Sequence, residues 1–322
     1  MLSVRLATNM HELREKRMNY DVIGDVHGEY DLLVALLKKL GYAQKQGVWK
    51  QYNHKAIFVG DLVDRGPQEV ATVNLVRKMV ESGNALCIMG NHELNAIAWF
   101  TQVPHEPNIF LRNHNSKNYK QHEAFLHEVE GKNIHKELIS WFKTLPLWLN
   151  LGDIRIVHAC WNEKYMYELQ MNLGLRNNQT LTEELLVVST KENNDKAIKH
   201  PAFFAVEALC KGLEASLPNG HYFIDKDQQK RHEIRIKWWQ KEFSNYQEAA
   251  LAPQDIVKNI PDIPFIKDQR LENYRGAPVF FGHYSLQEEP RIFTQKIACL
   301  DYLVAGKNTL VAYRWQGETE LE

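Results

Sequence analysis

Polar side chains suited to binding divalent metal ions recur at five places along the chain. Three segments bounded by glycine at their first residue come first: GDVHG at 24–28, GDLVDRG at 60–66 and GNHE at 90–93. Two histidines follow at His158 and His283. Carboxylates, an amide and imidazoles together suit Mn²⁺, Fe or Zn better than Ca²⁺. One such segment is weak support, whereas the ordered set predicts a pair of metal ions acting on a phosphate.

Six residues in these segments are the candidate metal ligands: Asp25, His27, Asp61, Asn91, His158 and His283. A two-metal site needs a carboxylate between the ions, and Asp61, at the end of its strand, is the natural bridge. Asp25 and His27 alternate along an extended segment, so both can point toward the site. Turn chemistry or helix N-capping after a strand is the competing explanation for Asp25 or Asp61 taken alone, but it does not explain the whole series.

The same segments contain residues that could act on a phosphate. Arg65 follows Asp64, and its planar guanidinium suits two phosphate oxygens, with a surface ion pair as the alternative. His92 follows the candidate ligand Asn91 and is better placed as a general acid whose ring Asp64 holds, unless it is simply a hydrogen-bonded core histidine. Glu93 is expected only to favour the start of a helix through its dipole. The predicted reaction is direct hydrolysis by an activated water, without a serine or cysteine nucleophile.

Alternating apolar patterns place these segments at strand ends. Short apolar runs at 20–23, 56–59 and 85–89 precede the three segments, and helical patterns occupy 29–40 and about 67–82. This order predicts a βαβαβ unit with right-handed crossovers and a mostly parallel sheet. Ligand sites in such sheets lie at the carboxyl ends of the strands.

The second half of the chain is less regular. Strands are predicted at 154–159, 279–281, 297–300 and 309–313, and a helix at 201–216. The last three strands are expected to close a second sheet. Because no repeat or low-complexity linker marks a boundary, we predict one α/β domain over residues 1–322, with an insertion at about 161–275.

Composition limits the classes of partner. The chain has 39 Lys and Arg against 40 Asp and Glu, so no basic excess predicts a nucleic-acid partner. Residues 1–20 lack the apolar core of a signal peptide, and no apolar run approaches the ~18 residues of a membrane span, so a cytoplasmic protein without a membrane partner is expected. The cysteines, none in a CxxC pair, are expected to be buried free thiols in a reducing compartment: Cys87, Cys160, Cys210 and Cys299.

Histidines are frequent, with 14 in the chain. Five of them lie in one polar stretch without a repeated ligand spacing: His105, His114, His122, His127 and His135. Structural metal sites usually need more closely spaced Cys and His pairs, so this group is interpreted as surface or packing residues.

The three glycine-bounded segments resemble those of the calcineurin-like metallophosphoesterase superfamily. Serine/threonine phosphatases of the phosphoprotein phosphatase type and bacterial diadenosine tetraphosphatases carry GDxHG, GDxxDRG and GNHE in this order, followed by two metal histidines. The resemblance implies a four-layer αββα sandwich of two mixed sheets flanked by helices. It also implies one metal bound by Asp25, His27, Asp61 and His283, a second bound by Asp61, Asn91 and His158, and an acid pair of His92 and Asp64.

Two departures from the family pattern bear on the substrate. His158 is followed by Ala-Cys-Trp rather than Gly-Gly, and His283 is followed by Tyr rather than Thr. The aromatic residues Trp161 and Tyr284 could therefore shape a pocket, stack on a base, or pack as ordinary core residues.

The leading functional prediction is a phosphomonoesterase that acts on phosphoserine or phosphothreonine proteins, and the alternative is a nucleotide polyphosphate hydrolase of the diadenosine tetraphosphate type. Two divalent metals are the expected cofactors, with Mn²⁺ favoured and Fe or Zn as alternatives. Substrate contacts are expected from Arg65 and Asn91, and a second phosphate-binding arginine is sought at Arg231 or Arg235. A non-catalytic scaffold is disfavoured because His92 and every ligand are present, and a nuclease because the charge is balanced.

Overall fold

The computed structural model describes residues 18–192, 199–224 and 229–322, so most of the segment searched for a signal peptide lies outside the described residues. The strands are β1 (Asn19–Ile23), β2 (Ala43–Lys45), β3 (Val48–Lys50), β4 (His54–Phe58), β5 (Ala85–Cys87), β6 (Trp148–Asn150), β7 (Arg155–Val157), β8 (Glu214–Ser216), β9 (Phe223–Ile224), β10 (Lys230–Arg231), β11 (Glu233–Arg235), β12 (Val279–Phe281), β13 (Ile292–Thr294), β14 (Ile297–Cys299) and β15 (Ala312–Trp315). The α-helices are α1 (Tyr30–Lys39), α2 (Glu69–Glu81), α3 (Asn91–Phe100), α4 (Ser116–Val129), α5 (Asn133–Phe142), α6 (Glu163–Tyr167), α7 (Glu183–Thr190), α8 (Pro201–Lys211), α9 (Tyr246–Ala249), α10 (Gln254–Val257) and α11 (Val304–Lys307).

The first sheet has the strand order β15-β1-β4-β5. Strand β4 is parallel to both β1 and β5, as the βαβαβ pattern predicts. Strand β15 corrects one prediction, because it pairs antiparallel with β1 instead of closing the second sheet. Trp315 lies opposite Tyr20 in this pairing, with the ring centroids 5.9 Å apart, and burial of the Trp315 ring favours this edge of the first sheet.

The second sheet has the order β13-β14-β12-β7-β6. Strand β12 is parallel to both β7 and β14, whereas β6 and β13 are antiparallel to their neighbours. The parallel pairing brings the carboxyl ends of β7 and β12 to one edge of the sheet. The segments that carry His158 and His283 therefore leave the sheet side by side.

The core lies between the sheets and beneath the covering helices. Val22 and Ile57 of the first sheet share one buried cluster with Ile156 and Phe280 of the second. Side chains alternate across a strand, and Phe281 accordingly points to the other face, where it packs against Trp238 and other rings. The chain thus has the α/β fold with two mixed sheets and helices that the sequence predicted.

The helices end where local sequence favours it. Helix α1 buries Leu33 and Leu37 against the first sheet and matches the pattern predicted at 29–40. Helix α8 stops at Lys211, short of the predicted 201–216, because Gly212 adopts a φ of 86° that a helix cannot continue through. The chain then continues as β8, which pairs with β11.

The four cysteines are free and buried, as expected from their spacing. In the part of the chain that the structure describes, no helix is both long and apolar enough to cross a membrane.

Candidate dinuclear metal site

All six candidate ligands gather where the two sheets meet. Asp25 and His27 follow β1, Asp61 follows β4, and Asn91 begins α3 directly after the β5 loop. The other two, His158 and His283, follow β7 and β12. Five of the six side chains are buried and His283 is partly buried.

Two groups of potential ligand atoms share Asp61. One contains His27, Asp61 and His92, the other Asp61, His158 and His283, and the atoms of each group lie within 4.8 Å of one another. Asp61 is therefore common to both groups, and its role as the bridging ligand stays a prediction. The grouping of His283 differs from the implied ligand set, although His283 also contacts Asp25 through its backbone N–H at 3.0 Å.

Buried atoms without hydrogen-bond partners fit the requirements of metal binding. The Nε2 atoms of His27 and His283 and the Oδ1 atom of Asp25 have no partner among the described residues. His27 uses its Nδ1 atom on the carbonyl of Val63 at 2.9 Å, so its Nε2 lone pair faces the cluster. Backbone contacts of this kind orient histidine ligands in metal sites. The donor set thus suits a pair of divalent metal ions.

His158 and Asn91 complete the inner surface. The Nδ1 atom of His158 lies 2.7 Å from the carbonyl of Val59, which fixes the ring. The Oδ1 atom of Asn91 lies 3.1 Å from His158 Nε2 and 2.7 Å from His283 Nδ1. Carboxylate, amide and imidazole atoms from both halves of the chain therefore converge.

The electrostatics of the cluster favour added positive charge. Burial raises the pKa of Asp25 well above its usual range, and the negative charges of Asp301 and Asp61 raise it further. Burial lowers the pKa of His27 to about 4, and the positive charges of His92 and Arg65 act in the same direction. A bound divalent cation would favour the ionised carboxylate and the neutral imidazole that metal ligation requires.

The loops that carry the ligands have unusual backbone conformations. Positive φ angles occur at His27 (47°), Asp61 (52°), Asp64 (70°), Arg65 (84°) and His283 (74°). Such angles are uncommon for residues other than glycine, and they cluster at functional sites where the surroundings hold them. The cluster is thus built on a constrained backbone.

Two glycines allow the loops to approach the ligands closely. A Cβ atom at Gly90 would lie 2.2 Å from Oδ1 of Asp61, and one at Gly282 would lie 1.9 Å from Oδ1 of Asp25. Both contacts are far shorter than van der Waals distance, so only glycine fits beside these carboxylates.

Glu93 has a larger role than the sequence predicted. Its buried carboxylate accepts hydrogen bonds from the backbone N–H groups of Asp61 at 2.9 Å, Leu62 at 2.7 Å and Gly90 at 2.9 Å. Burial raises its pKa to about 7, with a contribution from the negative charge of Asp61. Its spacing three residues after Gly90 is that of a capping box, which was the available signal. Glu93 thus joins the loop after β4 to the loop after β5.

A carboxylate shared by two histidines lies beside the cluster. The Nδ1 atom of His92 lies 2.6 Å from Oδ2 of Asp64, and the Nδ1 atom of His122 lies 2.7 Å from Oδ1. Burial would raise the pKa of Asp64, but hydrogen bonds from His122 and His92 outweigh it and lower the pKa to about 2. The predicted His92–Asp64 pair is present, and His122 is an addition that the sequence analysis assigned to packing.

Two of the candidate arginines act electrostatically on candidate ligands. Arg65 is exposed, and its positive charge lowers the pKa of Asp25 against the larger effect of burial. Burial lowers the pKa of His283 well below its usual value, and the positive charge of Arg235 is the next cause. Arg231 lies on β10, which pairs with β9, and its role in binding stays a prediction.

Trp161 and Tyr284 pack as core residues, which was one of the alternatives left open. Each is 6% exposed. The guanidinium carbon of Arg155 lies 5.0 Å from the centroid of the Trp161 ring. The hydroxyl of Tyr284 points toward the carbonyl of Ala159 at 3.4 Å. Trp161 also lines a cavity together with Arg155 and Trp238.

A family model described as calcineurin-like phosphoesterase matches residues 18–216, which include four of the five ligand segments. This chain belongs to the calcineurin-like phosphoesterase family. The resemblance inferred from the sequence is therefore confirmed.

Similar proteins include enzymes named for nucleotide hydrolysis. The asymmetrical bis(5′-nucleosyl)-tetraphosphatase PrpE of Oceanobacillus iheyensis is 35% identical over 143 residues, which cover 44% of this chain and 55% of that protein. The symmetrical bis(5′-nucleosyl)-tetraphosphatase of Enterobacter sp. is 31% identical over 131 residues, 40% of this chain and 38% of that protein. The chain spans about half the length of the relatives it matches, or less. A solved protein serine/threonine phosphatase of Saccharomyces cerevisiae is 17% identical, with a TM-score of 0.39 over 88% of this chain and 67% of that one.

Proposed function

We propose that this protein hydrolyses dinucleoside polyphosphates of the diadenosine tetraphosphate type, using two divalent metal ions, with Mn²⁺ as the favoured pair. The proposed activity is the alternative, nucleotide-directed prediction, and it replaces the protein phosphatase activity that was the leading prediction from the sequence. The names of the similar proteins support the change, because those that match at 35% and 31% identity are nucleoside tetraphosphatases.

The observation that carries the proposal is a pair of exposed arginines beside the metal cluster. Arg65 leaves the loop after β4, and Arg235 ends β11, so they reach the site from different halves of the chain. Neither guanidinium makes a hydrogen bond or ion pair with the described residues. Guanidinium groups bind phosphate oxygens in pairs. Two such groups on separate elements suit a chain of phosphates better than a single one.

His92 is the proposed proton donor to the leaving oxygen. Asp64 holds its Nδ1 atom, and its Nε2 atom lies 3.8 Å from Oδ2 of Asp61, on the side of the metal cluster. Bound divalent ions in a site of this kind activate water and neutralise phosphoryl charge. Arg65 and Arg235 would hold the substrate phosphates in line with that attack.

A phosphoserine or phosphothreonine substrate remains the second candidate. The His92–Asp64 pair favours it, since an alkoxide leaving group needs protonation more than a phosphate leaving group does. This observation concerns the chemistry of the leaving group, whereas the arginine pair concerns the length of the phosphate chain.

The deciding experiment compares both substrates with Mn²⁺-loaded protein. Diadenosine tetraphosphate and a phosphoserine peptide are supplied at equal concentrations, and nucleotides and phosphate are separated and quantified. We expect AMP and ATP from the dinucleotide at a kcat/KM at least tenfold above that of the peptide. Peptide hydrolysis without nucleotide cleavage would overturn the proposal in favour of the second candidate.

The arginine assignment needs its own test. In the variant Arg235→Ala we expect a roughly tenfold or larger rise in KM for the dinucleotide, because hydrogen bonds to charged groups contribute ~1.5–3 kcal/mol. Arg77→Ala, on the surface of α2 in an ion pair with Glu81, is the matched control and should leave KM unchanged. If Arg231→Ala raises KM and Arg235→Ala does not, the second phosphate contact belongs to Arg231.

A further inference from the structure

We propose that His122 is a positioning residue that acts through Asp64 to hold the ring of His92 for proton transfer. This inference rests on the part of the proposed function that assigns proton donation to His92. It does not depend on whether the phosphate belongs to a nucleotide or a protein.

The Asp64 carboxylate has both oxygens engaged by imidazoles. Oδ2 is 2.6 Å from Nδ1 of His92, and Oδ1 is 2.7 Å from Nδ1 of His122. Because an ionised carboxylate only accepts hydrogen bonds, each Nδ1 atom carries a proton. The second ring nitrogen of His92, Nε2, is then the one that exchanges a proton with the substrate. His122 therefore belongs to a series of hydrogen bonds, through Asp64 to His92, that determines which nitrogen of His92 faces the metal cluster.

The position of His122 is itself well held. Its side chain is 2% exposed, and its ring centroid lies 5.0 Å from that of Phe125 and 6.3 Å from that of Trp99. The backbone of Asp64 has a φ of 70°, so the loop relies on its surroundings to keep this conformation. A rigid donor on a helix is suited to keeping one orientation of a loop carboxylate.

Helix α4 also contacts the segment that follows Asp64, at the start of α2. Glu128, six residues after His122, accepts hydrogen bonds from the backbone N–H groups of Glu69 at 2.8 Å and Val70 at 2.9 Å. Glu69 in turn accepts one from the backbone N–H of Asp64 at 2.7 Å. Helix α4 thus contacts both the carboxylate and the segment that follows it, which is the arrangement of a positioning element.

A packing role is the competing explanation, and His135 provides the matched control. This histidine is also buried, at 7% exposure, and its ring contacts Phe125 at 5.7 Å and Phe100 at 4.7 Å. Its contacts give it no hydrogen bond to Asp64, whose carboxylate oxygens are occupied by His92 and His122. The variant His135→Phe therefore reports the cost of replacing a buried histidine near α4 without altering the proton-transfer pair.

The test uses aryl phosphates whose leaving groups differ in basicity, from dinitrophenyl to phenyl phosphate, with Mn²⁺-loaded protein. In His122→Phe we expect kcat for phenyl phosphate to fall by roughly 10- to 100-fold, as for other partners that orient a functional group. The loss for dinitrophenyl phosphate should be under about threefold, because that leaving group needs little protonation. His122→Asn should recover most of the activity, since its amide N–H can replace the Nδ1 donor.

A double-mutant cycle makes the mechanism explicit. In a His92→Asn background, His122→Phe should lower kcat by less than about twofold further, because residues that act as a unit are not additive. Equal losses for all leaving groups, a full additional loss in the His92→Asn background, or a His135→Phe variant with the same pattern would each overturn the inference.

A measurement without turnover separates this inference from the proposed function. We expect ¹⁵N NMR of the His92 ring in metal-free protein to show the Nδ1–H tautomer, and to lose that preference in His122→Phe but not in His135→Phe. An unchanged His92 signal would overturn the positioning role. If dinucleotides are not cleaved but the aryl phosphate pattern holds, the proposed substrate is wrong and His122 still positions His92.

Discussion

The two halves of the chain contribute ligands to one site but support them differently. In the first half, the loops after β4 and β5 are joined by the Glu93 carboxylate, which accepts three backbone hydrogen bonds. In the second half, the segments of His158 and His283 are joined by one backbone hydrogen bond, from the N–H of Gly282 to the carbonyl of His158 at 2.9 Å. The first half therefore links its ligand loops through a buried side chain, whereas the second half links its ligand segments through the backbone.

The second-half histidines are oriented largely by first-half atoms. His158 contacts the carbonyl of Val59, and His283 contacts the side chain of Asn91 and the carboxylate of Asp25. Among the described residues, the second half has a buried carboxylate of its own in Asp301, which accepts the backbone N–H groups of Ser285 at 2.6 Å and Leu303 at 3.1 Å. The first half of the chain therefore positions most of the candidate metal site, including the two histidines that the second half contributes.

The largest loss of activity is expected for Asp61, which belongs to both groups of potential ligand atoms. Asp61→Asn keeps the shape of the side chain but removes the charge between the two groups of ligands, so we expect kcat/KM to fall by roughly 10³-fold or more, beyond the ~10–100-fold typical of losing a supporting partner. Metal content, measured by mass spectrometry after dialysis, should drop from two ions toward one or none. Asp31→Asn on the surface of α1 is the control. Retention of two metals and near-normal activity would contradict a bridging Asp61.

The supports of the two halves can be compared directly. Glu93→Gln places an amide against backbone donors in both first-half loops, so we expect metal affinity to fall by about 10–100-fold and unfolding to occur at lower temperature. Asp301→Asn alters the contacts with Ser285, two residues beyond His283, and with Leu303, and its loss of metal affinity should stay below about tenfold. Calorimetric titration with Mn²⁺ measures both. An Asp301→Asn effect equal to or greater than that of Glu93→Gln would reverse the comparison.

Removal of metal should loosen the second-half loop more than the first-half loops. Metal binding stabilises the native state by mass action, ~2.7 kcal/mol at a hundredfold excess over Kd, so chelation with EDTA should lower the melting temperature. In hydrogen exchange, amides near His283 should gain exchange rate, while the amides of Asp61 and Leu62 stay protected by Glu93. Equal deprotection of both regions would argue against a pre-formed first half.

The sequence predicted part of the candidate site where a functional side chain and the strand that positions it belong to the same short segment. The three glycine-bounded segments predicted Asp25 and Asp61 shortly after strands, and the parallel first sheet followed from the same alternation. Asn91, also predicted at a strand end, instead begins helix α3. The Asp64–His92 contact could be proposed because both residues belong to those segments. Local spacing thus carried the predicted part of the site.

The remaining features depend on contacts between distant parts of the chain. His122 reaches Asp64 only because α4 packs beside α2, and 58 positions separate the two residues. The positive charge of Arg235 acts on His283 through the fold of the 161–275 segment, which has little periodicity from which to predict it. The edge position of β15 beside β1 depends on which sheet buries Trp315 better. Propensity and pattern do not determine such tertiary choices.

The smallest predicted effect concerns pH and another first-half carboxylate. Burial and the negative charge of Asp64 raise the pKa of Glu69 to about 9, above its usual 4.5. Between these values the native state keeps a proton that the unfolded chain has released, so this contribution to stability is complete below pH 4.5 and is lost as pH rises toward 9. Glu69→Gln removes the ionisation.

Thermal unfolding of metal-free protein from pH 5 to pH 9 checks this expectation. The melting temperature of Glu69→Gln relative to wild type should rise with pH by a few degrees, since ~1 kcal/mol shifts the midpoint of a larger domain by ~2–4 °C. Glu81→Gln, at the exposed end of the same helix, should give a flat difference. A flat difference for Glu69→Gln as well would mean that Glu69 is ionised in the native state, and the first-half framework would then rest on carboxylates charged at neutral pH. In that case the attraction of the site for divalent cations would extend beyond the ligands to the loop that carries Asp64.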